Sequence, residues 1–166
     1  MKKEVDANLV VDRMRYTKNK TSANMAILAI LFDVFYFVNI YKSDVSNYYY
    51  NILIGGSIVF NLLFLLAAFL CSEEIKQYNE NYCYLLLAMG IIQFIRIFII
   101  PMRAHNATVV IANVERQVML NSQFIRCVIY LVVSGVCCVY GALVGIVKSR
   151  KLKAYIATLG EEKRRD

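Results

Sequence analysis

Two charged residues, Asp33 and Arg96, each lie near the middle of a long apolar run of the sequence. A carboxylate in apolar surroundings can hold a proton or a cation, and a guanidinium can neutralise that carboxylate. Either charge alone at the centre of a lipid bilayer costs about 2.5–3.5 kcal/mol, even on the lenient insertion scales. Each residue therefore needs a polar partner, and the other one is the simplest candidate.

Further polar side chains fall at the same depth of the apolar runs. If the runs are helices that cross a membrane in alternate directions, Asp33, Asn61 and Gln93 lie ten or eleven residues from the ends that share one side. A helix rises about 1.5 Å per residue, so these three share one level. Arg96 lies one turn beyond Gln93, and Ser57 lies one turn from Asn61 on the same face. The sequence predicts an intramembrane polar network of Asp33, Ser57, Asn61, Gln93 and Arg96.

This network has more than one interpretation. A balanced pair of charges with amides beside it is typical of a structural clasp that holds helices in register. Intramembrane charges are also found where a protein binds an ion or a substrate, or where it contacts another subunit. The balance of charge favours the clasp, and these roles do not exclude one another.

Four apolar runs must position these residues: 23–41, 49–71, 82–101 and 127–147. Each is about 20 residues long, the length a helix needs to cross ~30 Å of hydrocarbon. The chain is 59% hydrophobic with a mean hydropathy of +0.50, whereas soluble domains are about 45–50% apolar. We predict one domain, an all-α integral membrane protein with four transmembrane helices. The short connections 42–48 and 72–81 predict an up-down antiparallel bundle.

The basic residues predict the orientation of the chain. Fourteen Lys and Arg residues lie in the N-terminal segment 1–22, the loop 72–81 and the tail 148–166, against four in the other two loops. Cytoplasmic loops carry the excess of positive charge, so both termini should be cytoplasmic in a multi-pass protein of the plasma membrane. The net charge of +7 mostly reflects this bias. It suits an anionic inner leaflet and does not indicate a nucleic-acid partner.

The loop 102–126 should lie on the outer side. It follows Pro101, which interrupts a helix. The runs Thr108–Ala112 and Gln117–Leu120 flank Asn113–Arg116 and are rich in β-branched residues, which predicts a short surface hairpin. A short interfacial helix is the alternative.

The tail 148–166 should form a basic amphipathic cytoplasmic helix that ends at Gly160. Its apolar side chains recur at helical spacing and alternate with lysines, so it could lie on the inner leaflet or bind a partner. The residues concerned are Lys151, Leu152, Lys153, Tyr155, Ile156 and Leu159.

Small residues form a stripe on the fourth run: Ser134, Cys138, Gly141 and Gly145. Small residues let helix backbones approach closely in lipid, where apolarity alone gives no preference. The stripe predicts either packing within the bundle or a face for a partner protein or a second copy.

The sequence lacks the residue patterns needed for several kinds of redox, metal and phosphate chemistry. None of the five cysteines forms a CxxC motif, and His105 is the single histidine. No Gly-rich phosphate loop is present. We therefore expect no metal, no cofactor and no enzymatic activity, although a membrane enzyme acting on lipid or quinone is a third, weaker possibility.

The predicted function is that of a non-enzymatic membrane protein, an accessory or scaffold subunit of a larger membrane assembly such as a transporter. Its partners would be the lipid bilayer and either another membrane protein or a second copy of itself. The alternative is a small oligomeric secondary transporter or channel that uses the Asp33/Arg96 pair.

Overall fold

A computed structural model describes residues 9–40, 48–106, 108–111, 114–117 and 119–162. In chain order the elements are α1 (Lys20–Ile40), α2 (Tyr48–Lys76), α3 (Glu80–Ile99), α4 (Pro101–Asn106), β1 (Thr108–Ile111), β2 (Val114–Gln117) and α5 (Asn121–Glu162). A further short helical segment covers residues 9–14. Predictions for residues 1–8, 41–47, 107, 112–113, 118 and 163–166 lie outside the described residues.

Four helical stretches of this described chain are long and apolar enough to cross a membrane: Lys20–Ile40, Gly55–Lys76, Glu80–Asn106 and Asn121–Leu159. Each contains a long window of mostly apolar residues, as a helix surrounded by lipid requires. The prediction of four helices that are long and apolar enough to cross a membrane is confirmed.

Contacts between helix ends give the directions of neighbouring helices. Ser72, late in α2, donates a hydrogen bond of 3.2 Å to the carbonyl of Ala23, early in α1. Gln123, at the start of α5, donates one of 2.7 Å to the carbonyl of Asn39, at the end of α1. Both α2 and α5 therefore run antiparallel to α1.

The α5 helix lies at the centre of the packing. It makes the most extensive contacts of any helix, with α1 on one side and α3 on the other, while α2 packs mainly against α1 and less against α3. The buried core follows this arrangement, with small residues on α1 and α5 and most of the larger side chains on α2 and α3. The α2–α3 seam is the loosest part of the bundle.

Glycines set the close approach of α3 to α5. A Cβ atom added at Gly90 would lie 2.9 Å from Cγ2 of Val139 and 3.2 Å from the carbonyl oxygen of Gly135. One added at Gly135 would lie 3.0 Å from the ring of Phe94. The two helices touch backbone to backbone here, which only residues without side chains permit.

The small-residue stripe of the fourth run faces the inside of the bundle. Ser134 and Cys138 are fully buried. Added Cβ atoms would lie 3.0 Å from Cβ of Met25 at Gly141 and 2.6 Å from Sγ of Cys83 at Gly145. Of the two interpretations of this stripe, packing within the bundle fits its position.

The connection between α3 and α5 differs from the predicted one. Pro101 begins the short helix α4, since the first residue of a helix needs no backbone N–H donor. A hairpin follows in which Thr108 pairs with Gln117 and Ile111 with Val114. The second strand is Val114–Gln117, so the prediction that Val114–Arg116 lie between the two strands is wrong. Two residues separate the strands, the commonest spacing in hairpins.

The tail also differs. α5 is one helix of 42 residues, about 63 Å long. It runs from the fourth apolar run into the tail and through Gly160 to Glu162, so Gly160 does not end it. Neither Pro nor Gly lies between Val147 and Leu159 to provide a kink. The tail is a continuation of the fourth span and not a separate helix.

Candidate functional site

Asp33 of α1 is completely buried and accepts hydrogen bonds from two residues of α3. Nε2 of Gln93 donates at 2.9 Å and Nη1 of Arg96 at 3.1 Å, both to Oδ1 of Asp33. The same amide nitrogen of Gln93 lies 3.3 Å from the hydroxyl of Ser134 on α5. That hydroxyl donates in turn to the carbonyl of Ala29, one turn before Asp33, at 3.0 Å. Three helices thus meet in one chain of hydrogen bonds.

The Arg96 guanidinium connects this set of hydrogen bonds to α2, the remaining long helix of the bundle. Nη2 of Arg96 donates to Oδ1 of Asn61 on α2. The guanidinium also lies over two aromatic rings, 4.4 Å from the centroid of Tyr36 and 4.8 Å from that of Phe60. Cation–π contacts of this kind strengthen when the charge is removed from water. Arg96 is 3% exposed. In place of water, Asp33 neutralises its charge, and Asn61 and the two ring faces stabilise it further.

Helical spacing explains why these side chains meet. Asp33 and Tyr36 are three residues apart on α1, as Gln93 and Arg96 are on α3, and such pairs share a helix face. The charge of Arg96 then reaches Asp33 and Tyr36 together. We name the set Asp33, Tyr36, Phe60, Asn61, Gln93, Arg96 and Ser134 the polar network.

The structure brings together four of the five residues singled out in the sequence: Asp33, Asn61, Gln93 and Arg96. Ser57 is buried, but its hydroxyl has no hydrogen-bond partner among the described residues. Three members of the network do not follow from the sequence pattern. Ser134 is marked there only for packing, and aromatic residues in an apolar run give no polar signal. The position of Tyr36, one turn after Asp33, could have indicated its role.

Several buried polar atoms of the site have no partner in the described part of the chain. They are Oδ2 of Asp33, Oγ of Ser57, Nδ2 of Asn61 and Nε of Arg96. A buried polar group without a hydrogen bond costs about 1–3 kcal/mol. The network therefore keeps both donor and acceptor capacity beyond the bonds that its own residues form.

A cavity of about 400 Å³ lies beside this network, in the loose seam between α2 and α3. Arg96, Ser57 and Phe60 form its inner wall. The isoleucines at its mouth, Ile95 and Ile99, are about half exposed on the outer surface of the bundle. The cavity therefore opens sideways, on the side where lipid chains would lie.

The residues predicted for the tail divide between two environments. Leu152 is buried, and Nζ of Lys153 pairs with Oε2 of Glu80 at 2.7 Å. Arg150 pairs with the other oxygen of Glu80 at 3.0 Å. Lys153 is thus bound to its own bundle, which the local pattern of the tail does not predict. Lys151 and Ile156 are exposed, and Tyr155 and Leu159 are half-buried.

No group of three His, Cys, Asp or Glu side chains that could hold a metal ion occurs among the residues with described positions. All five cysteines are buried and unpaired. His105 stacks on Phe124 with ring centroids 4.6 Å apart, which ties α4 to α5. These residues have packing roles.

No family model matches the chain, and no similar curated protein or solved structure is found. The fold and the site therefore define only a broad class: a helical protein with four helices able to span a membrane and a buried polar network at the level where these helices meet.

Proposed function

We propose that this protein is a non-enzymatic accessory or scaffold subunit of a larger assembly in the plasma membrane, such as a transporter. The observation that carries the proposal is the extension of α5 beyond the bundle. Glu80, the first residue of α3, holds Arg150 and Lys153. The nine helical residues after Lys153 add about 14 Å past that anchor.

This projecting segment (residues 154–162) has a surface suited to a partner. Ile156 is 49% exposed, and Tyr155 and Leu159 are partly exposed beside it. Apolar side chains on a helix that stands away from its own bundle are typical of helix-in-groove recognition. The two ion pairs at its base hold the segment in place, so binding would cost little ordering of the chain.

The polar network supports a structural role for the interior. Asp33 and Arg96 neutralise each other at 3.1 Å, and both are buried, Asp33 completely and Arg96 with 3% exposure. A pair of this kind fixes which helices are neighbours, because any other arrangement would leave a charge unpaired in lipid. A bundle so held is a stable platform for α5.

The proposal places both termini in the cytoplasm, and cysteine labelling tests this. In cells expressing single variants, a membrane-impermeant maleimide should modify Arg103→Cys directly, and Arg15→Cys and Thr158→Cys only after permeabilisation. All three positions are exposed. The five native cysteines are buried, so the unchanged protein is a low-background control. The reverse pattern of labelling would show an inverted orientation.

Photocrosslinking tests the accessory role. With a photoreactive amino acid at Ile156, irradiation of native membranes should give one discrete product heavier than the 19.1 kDa chain, identifiable by mass spectrometry. The matched control is Leu66 of α2, which is 69% exposed within an apolar run and should give no discrete product.

Two differently tagged copies of the chain, expressed together, separate the two kinds of partner. A product that carries both tags means that a second copy occupies the projecting segment. If Ile156 gives only uncrosslinked chain, as Leu66 does, the accessory role is wrong.

A second candidate function, a small oligomeric carrier or channel, is favoured by one observation. Asp33, Asn61 and Arg96 each keep a buried polar atom without a partner in the described chain, and Arg96 borders a cavity that opens sideways. Such atoms could take up a proton or a small polar group during transport. The two functions differ in whether Asp33 is needed for folding or for turnover.

A further inference from the structure

A second cavity in the described chain is larger than the one beside the polar network. It is a groove of about 1470 Å³ between the N-terminal segment and α5. Small-molecule pockets usually measure about 300–1,000 Å³. One wall is formed by Val10, Met14 and their neighbours, and the other by α5 from Tyr140 to Lys151.

The charge of this groove is of one sign. Five basic side chains line it and no acidic one does: Arg13, Lys18, Lys20, Lys148 and Lys151. None of the five forms an ion pair with a carboxylate in the described chain. Asp12, the acid next to them in sequence, pairs with Arg15 instead, at 3.3 Å. Lys148 donates only to the uncharged oxygens of Asn19 and Thr21.

The groove also changes in character along α5. Tyr140, Leu143 and Val147 are about half exposed and belong to the apolar run. Lys148 and Lys151 follow directly, at the end of the run where α5 leaves it. From Tyr140 to Lys148 the helix rises about 12 Å. One groove therefore has an apolar half at membrane depth and a cationic half at the membrane surface.

We propose that this groove binds an anionic phospholipid of the adjoining leaflet. The phosphate would lie among the five cations, and the acyl chains would lie along Tyr140, Leu143 and Val147. Charge complementarity selects the headgroup, because each basic residue near an anionic membrane surface raises affinity by roughly fivefold. The apolar half excludes a soluble anion or an acidic peptide as the natural occupant, since neither could fill a wall that faces lipid chains.

Lipid contact can be measured with a tryptophan reporter, because the chain contains no tryptophan. Tyr140→Trp protein is reconstituted into phosphatidylcholine vesicles with an equal minor fraction of brominated phosphatidylglycerol or brominated phosphatidylcholine. Bromine quenches a tryptophan that it touches. The anionic lipid should quench Trp at position 140 more strongly than the zwitterionic one. A reporter at Leu66→Trp, on the lipid-exposed surface of α2, should be quenched equally by both.

Two double variants then separate this site from general surface charge. In the Tyr140→Trp protein, Lys148→Gln/Lys151→Gln should lower the relative affinity for phosphatidylglycerol by about 10- to 30-fold. Arg150→Gln/Lys153→Gln removes the same charge from the same part of α5 but on the side that pairs with Glu80. It should leave the preference unchanged.

The proposal is overturned if the parent protein shows no anionic preference, or if both double variants lose it equally. Circular dichroism melting checks that each variant is folded. If Lys148→Gln/Lys151→Gln does not fold, Arg13→Gln/Lys18→Gln on the opposite wall provides the same test. Since the crosslinking of Ile156 is independent of these lipids, failure here leaves the accessory role to its own experiment.

Discussion

Replacing Asp33 with alanine is expected to destabilise the bundle by about 3–5 kcal/mol. The change leaves the Arg96 charge, which is 3% exposed, without its carboxylate at 3.1 Å. It also removes the acceptor for Gln93. The double variant Asp33→Leu/Arg96→Met should recover most of the loss, because two apolar side chains leave no buried charge without a partner. Equilibrium unfolding of the purified protein in mixed micelles measures both effects.

A double-mutant cycle of Asp33→Leu, Arg96→Met and Asp33→Leu/Arg96→Met tests whether Asp33 and Arg96 act as one unit. If the pair is a clasp, the loss in the double variant is smaller than the sum of the single losses. Additive losses would mean that each charge is satisfied by other groups. Asp33→Asn keeps the side-chain volume and separates the two candidate functions. A folded Asp33→Asn protein that has lost ion or substrate uptake in proteoliposomes would favour the carrier over the accessory subunit.

Gly90→Ala is expected to destabilise the protein by about 1–3 kcal/mol. The added methyl group would lie 2.9 Å from Val139 and 3.2 Å from the backbone oxygen of Gly135, so α3 must move away from α5. Val139 is β-branched and cannot rotate aside easily. Gln93 lies less than one turn from Gly90, so the same movement would lengthen its 3.3 Å contact with Ser134. Unfolding in mixed micelles measures the loss.

Gly55→Ala is the matched control for this experiment. Gly55 is also helical, but an added Cβ would find no atom within 4 Å. Alanine is a better helix former than glycine, so the change should be neutral or stabilise the protein by up to about 1 kcal/mol. If both variants are equally stable, α3 and α5 are not in backbone contact at Gly90.

The depth of the polar network in the bundle can be predicted from the amino-acid sequence, but not all of the residues that form it. Helix rise is fixed, so counting residues along each apolar run is enough to place Asp33, Asn61 and Gln93 at one depth. The direction of each side chain around its helix depends on which helices are neighbours, and no local pattern states that. Tyr36 and Phe60 could not be predicted for this reason. In the sequence of an apolar run, an aromatic residue that packs on a buried charge looks the same as one that faces lipid.

The glycines show the same limit. The regular spacing of Gly141 and Gly145 marks a packing face, but the residues they pack against, Met25 and Cys83, are distant in sequence. Gly90 and Gly135 belong to no repeat, yet they mark the closest approach of two helices. The tail departs from its predicted form because Lys153, which fits a membrane-surface pattern locally, is held by Glu80 from another helix.

α5 is a single continuous helix and therefore joins two distant parts of the molecule. The same helix carries Ser134, whose hydroxyl lies in the polar network, and Ile156, 22 residues away in the projecting segment. The distance between them is about 33 Å along the axis. Because α5 remains helical from Ser134 to Ile156, a force on the projecting end acts along the same helix that positions the hydroxyl of Ser134. A partner bound to the projecting segment is therefore connected through α5 to the buried charges of the polar network.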